Sequence, residues 1–267
     1  MSSELTLVVG ATGVLGSLIS HILIGSGEKV RCLVRPLSSE KAQKLKEDGA
    51  EIAFGDLKDV ERVTAALEGV TKLVITATSI LSRVEGDSID AVDRIATLRL
   101  VEIAMASPTL KHIVYISFPP HPLASPLQTS KRAVEEKIIS DASTSSRVTY
   151  TILQPGYFVE IWFSPHLSLD LANKKGKVYG TGDAGRQWYV SVGDVAKAAV
   201  ASLDLSNASV INRVFPFGGP EGLTQRELLR RVEEKKSVQL DVTCVPSEAL
   251  RGQLEGASND VEKVIES

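Results

Sequence analysis

Residues 5–16 read Leu-Thr-Leu-Val-Val-Gly-Ala-Thr-Gly-Val-Leu-Gly. A short apolar run ends at Gly10, glycines recur at Gly13 and Gly16, and amphipathic sequence starts there. The first amides of a helix lack partners and sit at the positive end of its dipole. Glycines let a phosphate approach such a backbone with no Cβ in the way. An ordinary tight strand-to-helix turn would use the same glycines. The context is that of a dinucleotide site: a strand before, a helix after, and a second strand whose end lies about 20 residues on.

The chain has 267 residues, enough for one α/β unit with a modest extra lobe. Apolar residues make up 43% and charged residues 24%, an ordinary globular balance. A net charge of −3 gives no basic field for nucleic acid or an anionic membrane. Cys32 and Cys244 lack the spacing of a metal or redox motif, so a reducing compartment is expected. His21, His112, His121 and His166 are dispersed and give no metal spacing. The first residues lack the basic region of a signal peptide. No apolar run reaches the ~18 residues of a membrane span. These features predict a cytoplasmic protein with no metal, no nucleic-acid partner and no membrane partner.

Working outward from the glycine turn, strands and helices alternate. Leu15, Leu18, Ile19, Ile22 and Leu23 stripe a first helix, and Val30, Cys32 and Val34 alternate along a second strand. A helix capped by Ser38 or Ser39 is expected next, then a strand at Ile52–Phe54, a helix striped by Val60, Val63 and Leu67, and a strand at Leu73–Ile75. A longer helix is predicted over about Asp87–Ala106, a fifth strand over Ile113–Ile116, a helix over about Pro126–Asp141 and a sixth strand over Val148–Leu153. This alternation predicts an α/β fold with a doubly wound parallel sheet. After Pro155 the pattern changes to an aromatic, loop-rich segment, followed by a helix near 192–203, a strand at Val214–Phe217 and a capping box at Thr224–Glu227. A polar helix is expected over Ser247–Ser267. The expected division is a nucleotide-binding domain over 1–155 and a small substrate lobe over 156–267, the latter returning a strand and a helix to the sheet.

Arg35 lies nineteen residues after Gly16, at the end of the second strand. An acid there would read the ribose hydroxyls of NAD, whereas an arginine offers a planar fork to a 2′-phosphate. Arg31 and Lys41 add positive charge nearby, so NADP(H) is the expected cofactor. Asp56 ends the third strand, where it would accept from an adenine amino group while Leu57 covers the ring. It would equally serve as a helix cap. Lys131 falls four residues after Leu127 and three before Val134, on the apolar stripe of its helix. An unpaired ammonium is costly there, so a role toward the nicotinamide ribose is weighed against a snorkelling side chain. Ser117 ends the fifth strand, where it would hold a substrate oxygen or simply cap the strand. Tyr157 and Phe158 follow Gly156 as the chain leaves the sixth strand. His121 and His166 are weak proton-donor candidates.

These residues bring out a resemblance. The chain looks like an NmrA-like member of the atypical short-chain dehydrogenase/reductase superfamily. The match rests on Gly-Ala-Thr-Gly-Val-Leu-Gly at 10–16, Leu-Val-Arg-Pro at 33–36, Gly-Asp-Leu at 55–57 and Ser-Lys-Arg-Ala-Val-Glu at 130–135. Tyr-Thr-Ile-Leu-Gln-Pro-Gly-Tyr-Phe at 150–158 and Val-Ser-Val-Gly-Asp-Val-Ala at 190–196 extend it. The resemblance implies a Rossmann domain with a small C-terminal lobe. It implies that Gly10, Thr12, Gly13, Val14, Leu15 and Gly16 hold a pyrophosphate, that Arg35 reads the 2′-phosphate and that Asp56 and Leu57 flank adenine. Thr76, Ala77 and Thr78 would line the ribose side, with Lys131, Gln154, Pro155, Gly156, Tyr157 and Phe158 toward the nicotinamide.

The departure from the pattern bears on chemistry. Classical relatives carry a tyrosine four residues before the lysine, and here that position is Leu127. Ser117 and Lys131 keep their places without the phenol. The expected activity is therefore an NADPH-dependent reduction of a conjugated, aromatic or quinone-like small molecule, which delocalises charge and needs less help from a strong acid. Lys131 would orient the ribose and, if burial lowered its pKa from ~10.4, relay a proton, with Tyr157 as reserve donor. The competing expectation is a non-enzymatic NADP(H)-binding sensor or regulator of the NmrA type.

Overall fold

The computed structural model describes residues 4–35, 40–80, 82, 84–120, 125–165, 167–246 and 248–249. The caps expected at Ser38 or Ser39, the histidines His121 and His166, and most of the helix expected over Ser247–Ser267 lie outside the described residues. The chain divides into two compact units, Met1–Gln154 with Gly193–Phe215, and Pro155–Val192 with Pro216–Ser267.

In chain order the first unit runs β1 (Leu5–Val9), α1 (Val14–Gly25), β2 (Lys29–Val34), α2 (Glu40–Glu47), β3 (Glu51–Phe54), α3 (Val60–Ala66) and β4 (Lys72–Ile75). A π-helical segment, Ile89–Ala96, then leads into α4 (Thr97–Ala106), β5 (His112–Ile116), α5 (Pro126–Thr144) and β6 (Thr149–Pro155). The central strands β1, β4 and β5 are buried along nearly their whole length, so they read as apolar runs rather than alternations. Leu7, Val8, Leu73, Val74, Ile113 and Val114 are all fully buried. After the second unit's first elements, among them the short helix α6 (Val159–Trp162), the chain returns through α7 (Val192–Ala201) to add β11 (Arg213–Phe217) to this sheet.

The sheet has seven strands in the order β11-β6-β5-β4-β1-β2-β3. Its registers are parallel, with Val9 opposite Leu33 on one side and Ile75 on the other. This is a Rossmann-type, doubly wound α/β fold. The order reverses at β1, which places the C-terminal end of that strand and the Gly10 turn at the switch point where ligands bind in such sheets.

The helix expected over Asp87–Ala106 starts later and in a different form. Ser88 is its cap, accepting from Ala91 N at 3.0 Å, so Asp87 stays in the preceding loop. The first eight residues are wound as a π-helix, and Thr97 donates its hydroxyl to Val92 O at 2.8 Å at the transition. Asp93 faces inward beside Ile89, Val92 and Ala96.

The second unit contains two three-stranded sheets. One is β12 (Gly222–Leu223), β10 (Gln187–Val190) and β7 (Tyr157–Phe158); the other is β13 (Asp241–Val245), β9 (Lys175–Tyr179) and β8 (Leu169–Asp170). α8 (Gln225–Lys236) starts at the capping box, with Thr224 Oγ1 accepting from Glu227 N at 3.2 Å and Glu227 accepting from Thr224 N at 2.9 Å. Leu229 of α8 packs with Leu169, Val178 and Leu240 to form this unit's own core.

Candidate functional site

The turn between β1 and α1 is built on glycine for two separate reasons. Gly10 has φ +88°, a left-handed conformation, and a Cβ there would stand 2.6 Å from Thr76 Oγ1. Gly16 has ordinary helical geometry, but a Cβ on it would stand 2.2 Å from Gly10 O, so the first turn of α1 lies directly on the loop. Gly13 N donates to Gly10 O at 3.0 Å and closes the turn. Gly13 is also the N-cap, and it offers no side chain to the helix amides. A helix whose leading amides have no side-chain cap, entered through a bare backbone turn, fits a diphosphate. Lys41, on α2, donates to Thr12 O at 3.3 Å and brings its charge to this turn. Thr76 donates to Val9 O at 3.0 Å and fixes the neighbouring end of β4, followed by Ala77 and Thr78.

Beside β2 and β3 the charges are paired. Arg35 Nη1 donates to Asp87 Oδ2 at 2.7 Å, and Lys58 Nζ reaches the other oxygen of the same carboxylate. Ser82 donates its hydroxyl to Asp87 as well. Asp56 stands 3.9 Å from both Arg35 and Lys58, and it caps its own turn by accepting from Lys58 N at 2.8 Å. Burial pushes the Asp87 carboxyl up, but hydrogen bonds from Lys58, Ser82 and Arg35 outweigh it and bring it down to about 2. Leu57 packs against the main core. Arg31, expected to add charge to this region, is spent elsewhere: its Nη1 donates to Ala66 O and Glu68 O at 2.8 and 2.7 Å, closing the end of α3, and its Nε pairs with Glu51.

The interior end of the site is a buried ionic network. Lys131 of α5 and Asp93 of the π-helical segment face each other at 3.3 Å, with side chains 7% and 0% exposed. Lys131 Nζ also donates to Ala77 O at 3.4 Å, and it lies 5.3 Å from the Tyr115 ring centroid. The second Asp93 oxygen accepts from both the amide and the hydroxyl of Ser79, each at 2.9 Å. The ammonium expected on an apolar stripe is therefore paired, not bare.

Ser117 follows β5 and donates its amide to Leu153 O at 2.8 Å, while its buried hydroxyl has no hydrogen-bond partner among the described residues. The Tyr115 hydroxyl is in the same position. Burial, together with the Asp93 and Glu135 carboxylates, pushes that phenol well above its ordinary value. Leu127, at the place of the classical tyrosine, is buried. Gln154, expected near the nicotinamide, instead donates to both oxygens of buried Glu135 at 2.9 and 3.1 Å, and Glu135 is also paired with Arg132.

Pro155, Gly156, Tyr157 and Phe158 belong to the second unit. There Tyr157 meets Trp162 edge-on at 4.9 Å and Tyr189 at 6.1 Å, and Phe163 meets Tyr189 at 5.9 Å. Burial raises the Tyr157 phenol, and burial plus Tyr157 raises Tyr189 to about 12. Gly156 is small for a packing reason, since a Cβ there would stand 2.0 Å from Trp188 O of the same unit.

The family model described as the NmrA-like family matches residues 2–266. The chain belongs to the NmrA-like family. Among curated relatives, the photosystem II assembly factor Ycf39 of Trieres chinensis is 30% identical over 242 residues, 90% of this chain and 72% of that protein. Among solved structures, leucoanthocyanidin reductase of Vitis vinifera bound to NADPH aligns with a TM-score of 0.75 at 18% identity, covering 98% of this chain and 84% of that one. The NADPH-dependent quinone oxidoreductase QOR2 of Escherichia coli, complexed with NADPH, aligns with a TM-score of 0.74 at 21% identity, covering 98% and 87%. At such identities the solved structures establish a shared fold.

Within this NmrA-like chain, the first unit brings together the glycine turn, Thr76–Thr78, Arg35, Asp56 and Lys131 at the C-terminal ends of adjacent strands. Sequence reasoning missed Asp93, Ser79, Asp87, Lys58 and Tyr115. Asp93 carried a usable signal: it sits within the apolar stripe Ile89, Val92, Ala96, as Lys131 does within its own. An acid and a base on the inward stripes of successive helices are a candidate pair. No group of three metal-ligating side chains occurs among the described residues, and no helix among them is long and apolar enough to cross a membrane.

Proposed function

We propose that this protein is an NADPH-dependent reductase acting on a conjugated, aromatic or quinone-like small molecule. The observation that carries the reading is the buried Lys131–Asp93–Ser79 network, set in the same unit as a glycine turn shaped for a diphosphate. Family membership supports the cofactor, as do the NADPH-bound solved neighbours. NADPH, when bound, supplies the hydride.

The chain's own residues would do the rest. Gly10 to Gly16 bind the diphosphate, with Thr12, Val14 and Leu15 lending backbone. Arg35 reads the 2′-phosphate, Asp56 and Leu57 border adenine, and Thr76 to Thr78 line the ribose side. Lys131 is a hydrogen-bond donor held in one orientation by Asp93 and Ala77 O, as a positioned donor to a ribose hydroxyl must be. Ser117, with its free buried hydroxyl, is the donor for a substrate oxygen. The absence of a tyrosine at Leu127, and the strongly raised Tyr115 phenol, leave the site without a ready strong acid. That favours acceptors whose reduced form is a stabilised anion. The second unit has its own aromatic cluster, Tyr157, Trp162, Tyr189 and Phe163, side chains of the kind that recognise flat conjugated molecules.

A second reading is a non-catalytic NADP(H)-binding regulator or assembly factor. The missing phenol favours it, as does the 30% identity to Ycf39. Oxidation of NADPH, followed at its absorbance band against quinones, enones and ketones, separates the two. Turnover that falls at least tenfold in Lys131→Ala supports the reductase. Tight NADPH binding with no turnover on any acceptor establishes the regulator instead.

A further inference from the structure

Two cations at the ends of β2 and β3, Arg35 and Lys58, already hold an anion. Arg35 and Lys58 each engage one oxygen of Asp87, whose side chain is only 3% exposed although theirs are 42% and 33% exposed. Ser82 adds a hydroxyl donor to the Asp87 oxygen that Arg35 contacts. An oxyanion held by a guanidinium, an ammonium and a hydroxyl is the donor set that recognises a phosphate monoester. With Asp56 at 3.9 Å from both cations, the four formal charges sum to zero.

We infer that Asp87 is an internal counter-ion occupying the 2′-phosphate-reading pair Arg35 and Lys58, and that it sets how strongly the chain prefers 2′-phosphorylated nucleotides. The inference rests on reading the Gly10–Gly16 turn as a dinucleotide site. A 2′-phosphate must exchange with the carboxylate; it does not add to bare cations. A dianion entering while Asp87 stays meets no net positive charge from Arg35, Lys58, Asp56 and Asp87 together, whereas an unphosphorylated ribose can donate its 2′-hydroxyl to a carboxylate. Asp87 therefore narrows the gap between NADPH and NADH that Arg35 and Lys58 alone would open.

The test is titration calorimetry of the full chain with 2′,5′-ADP, 5′-AMP, NADPH and NADH. Asp87→Asn removes the charge and keeps the shape. It should tighten 2′,5′-ADP and NADPH roughly tenfold, the scale of one lost like charge at contact distance, and leave 5′-AMP and NADH unchanged or weaker. It should also steepen the loss of 2′,5′-ADP affinity with salt. Ser82→Ala loosens the carboxylate without altering any charge and should tighten 2′,5′-ADP by a smaller factor; it carries the test if Asp87→Asn does not fold. Wild-type binding of NADPH with no tightening of 2′,5′-ADP in either variant overturns the inference. Failure of the wild-type chain to bind either dinucleotide overturns the dinucleotide reading itself.

Discussion

Replacing Asp93 with asparagine should destabilise the first unit far more than loss of an ordinary ion pair. Exposed pairs contribute about 0–1 kcal/mol, because water screens both partners. Lys131 and Asp93 stand 3.3 Å apart with side chains 7% and 0% exposed, so neither has water as an alternative. In Asp93→Asn the ammonium keeps only Ala77 O at 3.4 Å and the face of Tyr115. Breaking a buried pair from one side costs about 3–5 kcal/mol, since it strands the other charge. Lys131→Met should cost less, about 2–3 kcal/mol, because Asp93 keeps two donors from Ser79 at 2.9 Å. The double variant strands nothing and should be more stable than Asp93→Asn alone, giving a coupling of about 2–4 kcal/mol. Urea unfolding followed by far-UV circular dichroism is the assay. Both tryptophans, Trp162 and Trp188, lie in the second unit, so their fluorescence does not follow the sheet. Single costs that add to within about 0.5 kcal/mol would refute the pairing.

Three further outcomes follow from the fold. His112 is fully buried with a threonine hydroxyl at each ring nitrogen, Thr149 at 2.8 Å and Thr151 at 3.2 Å. Burial lowers it to about 4, a Ser202 backbone contact opposes this and the Lys72 charge adds to it. Its folded value lies below its unfolded one near 6.5, so the unfolded chain binds the extra proton. Stability should hold above pH 6.5 and fall by up to about 3 kcal/mol as pH drops to 4, a dependence that His112→Gln should flatten in denaturant midpoints. Gly16→Ala must push its Cβ off Gly10 O from 2.2 Å, so NADPH affinity measured by calorimetry should collapse along with several degrees of melting temperature. Thr224→Ala removes the hydroxyl half of the capping box while the backbone N–H of residue 224 still donates to Glu227, and should cost about 1 kcal/mol in urea unfolding read by tryptophan fluorescence.

The sheet was legible because its strands are buried on both faces and its helices carry regular stripes. Val30–Val34 and Leu73–Ile75 can do little else than form interior strands between such helices. The glycine turn is legible more locally: Gly13 and Gly16 answer contacts with Gly10 O a few residues away, while the contact of Gly10 with Thr76 comes from the end of the paired strand β4. The second unit was much less so. β8, β9, β10 and β13 are short, partly exposed strands whose partners lie far along the chain, as in the pairing of Asp241–Val245 with Lys175–Tyr179, and nothing local announces them. The candidate site divides in the same way. Lys131 stands out as a charge on an apolar stripe, and its partner Asp93 stands on the stripe Ile89, Val92, Ala96, but the two are 38 positions apart and only the packing of their helices brings them together. The spacing places Asp87 at the start of a helix, but Ser88 is the cap, so Asp87 stays in the loop with its carboxylate between Arg35 and Lys58.

Stability alone gives little reason to bury Lys131 and Asp93. Exchanging both partners of a buried ion pair for well-packed neutral side chains is commonly neutral or stabilising, since the desolvation cost of two charges disappears with them. The pair also lies beside the carbonyl of Ala77, at the end of the strands where this fold class binds ligands, and away from the middle of the core. These two facts separate a structural role from a functional one in a single variant. Asp93→Asn with Lys131→Met should recover part of the stability that Asp93→Asn alone loses, so a loss of turnover measured where urea unfolding shows the chain still folded is not a loss of fold. If the pair exists to present an oriented ammonium to the nicotinamide ribose, that variant should lose turnover by at least roughly tenfold, the effect of one positioned donor, and weaken NADPH binding while leaving 5′-AMP binding, which engages only the distant half of the site, unchanged. Unaltered turnover and NADPH affinity in a well-folded double variant would make Lys131 and Asp93 a costly packing element, and would move the search for a donor to Ser117, whose buried hydroxyl has no partner among the described residues.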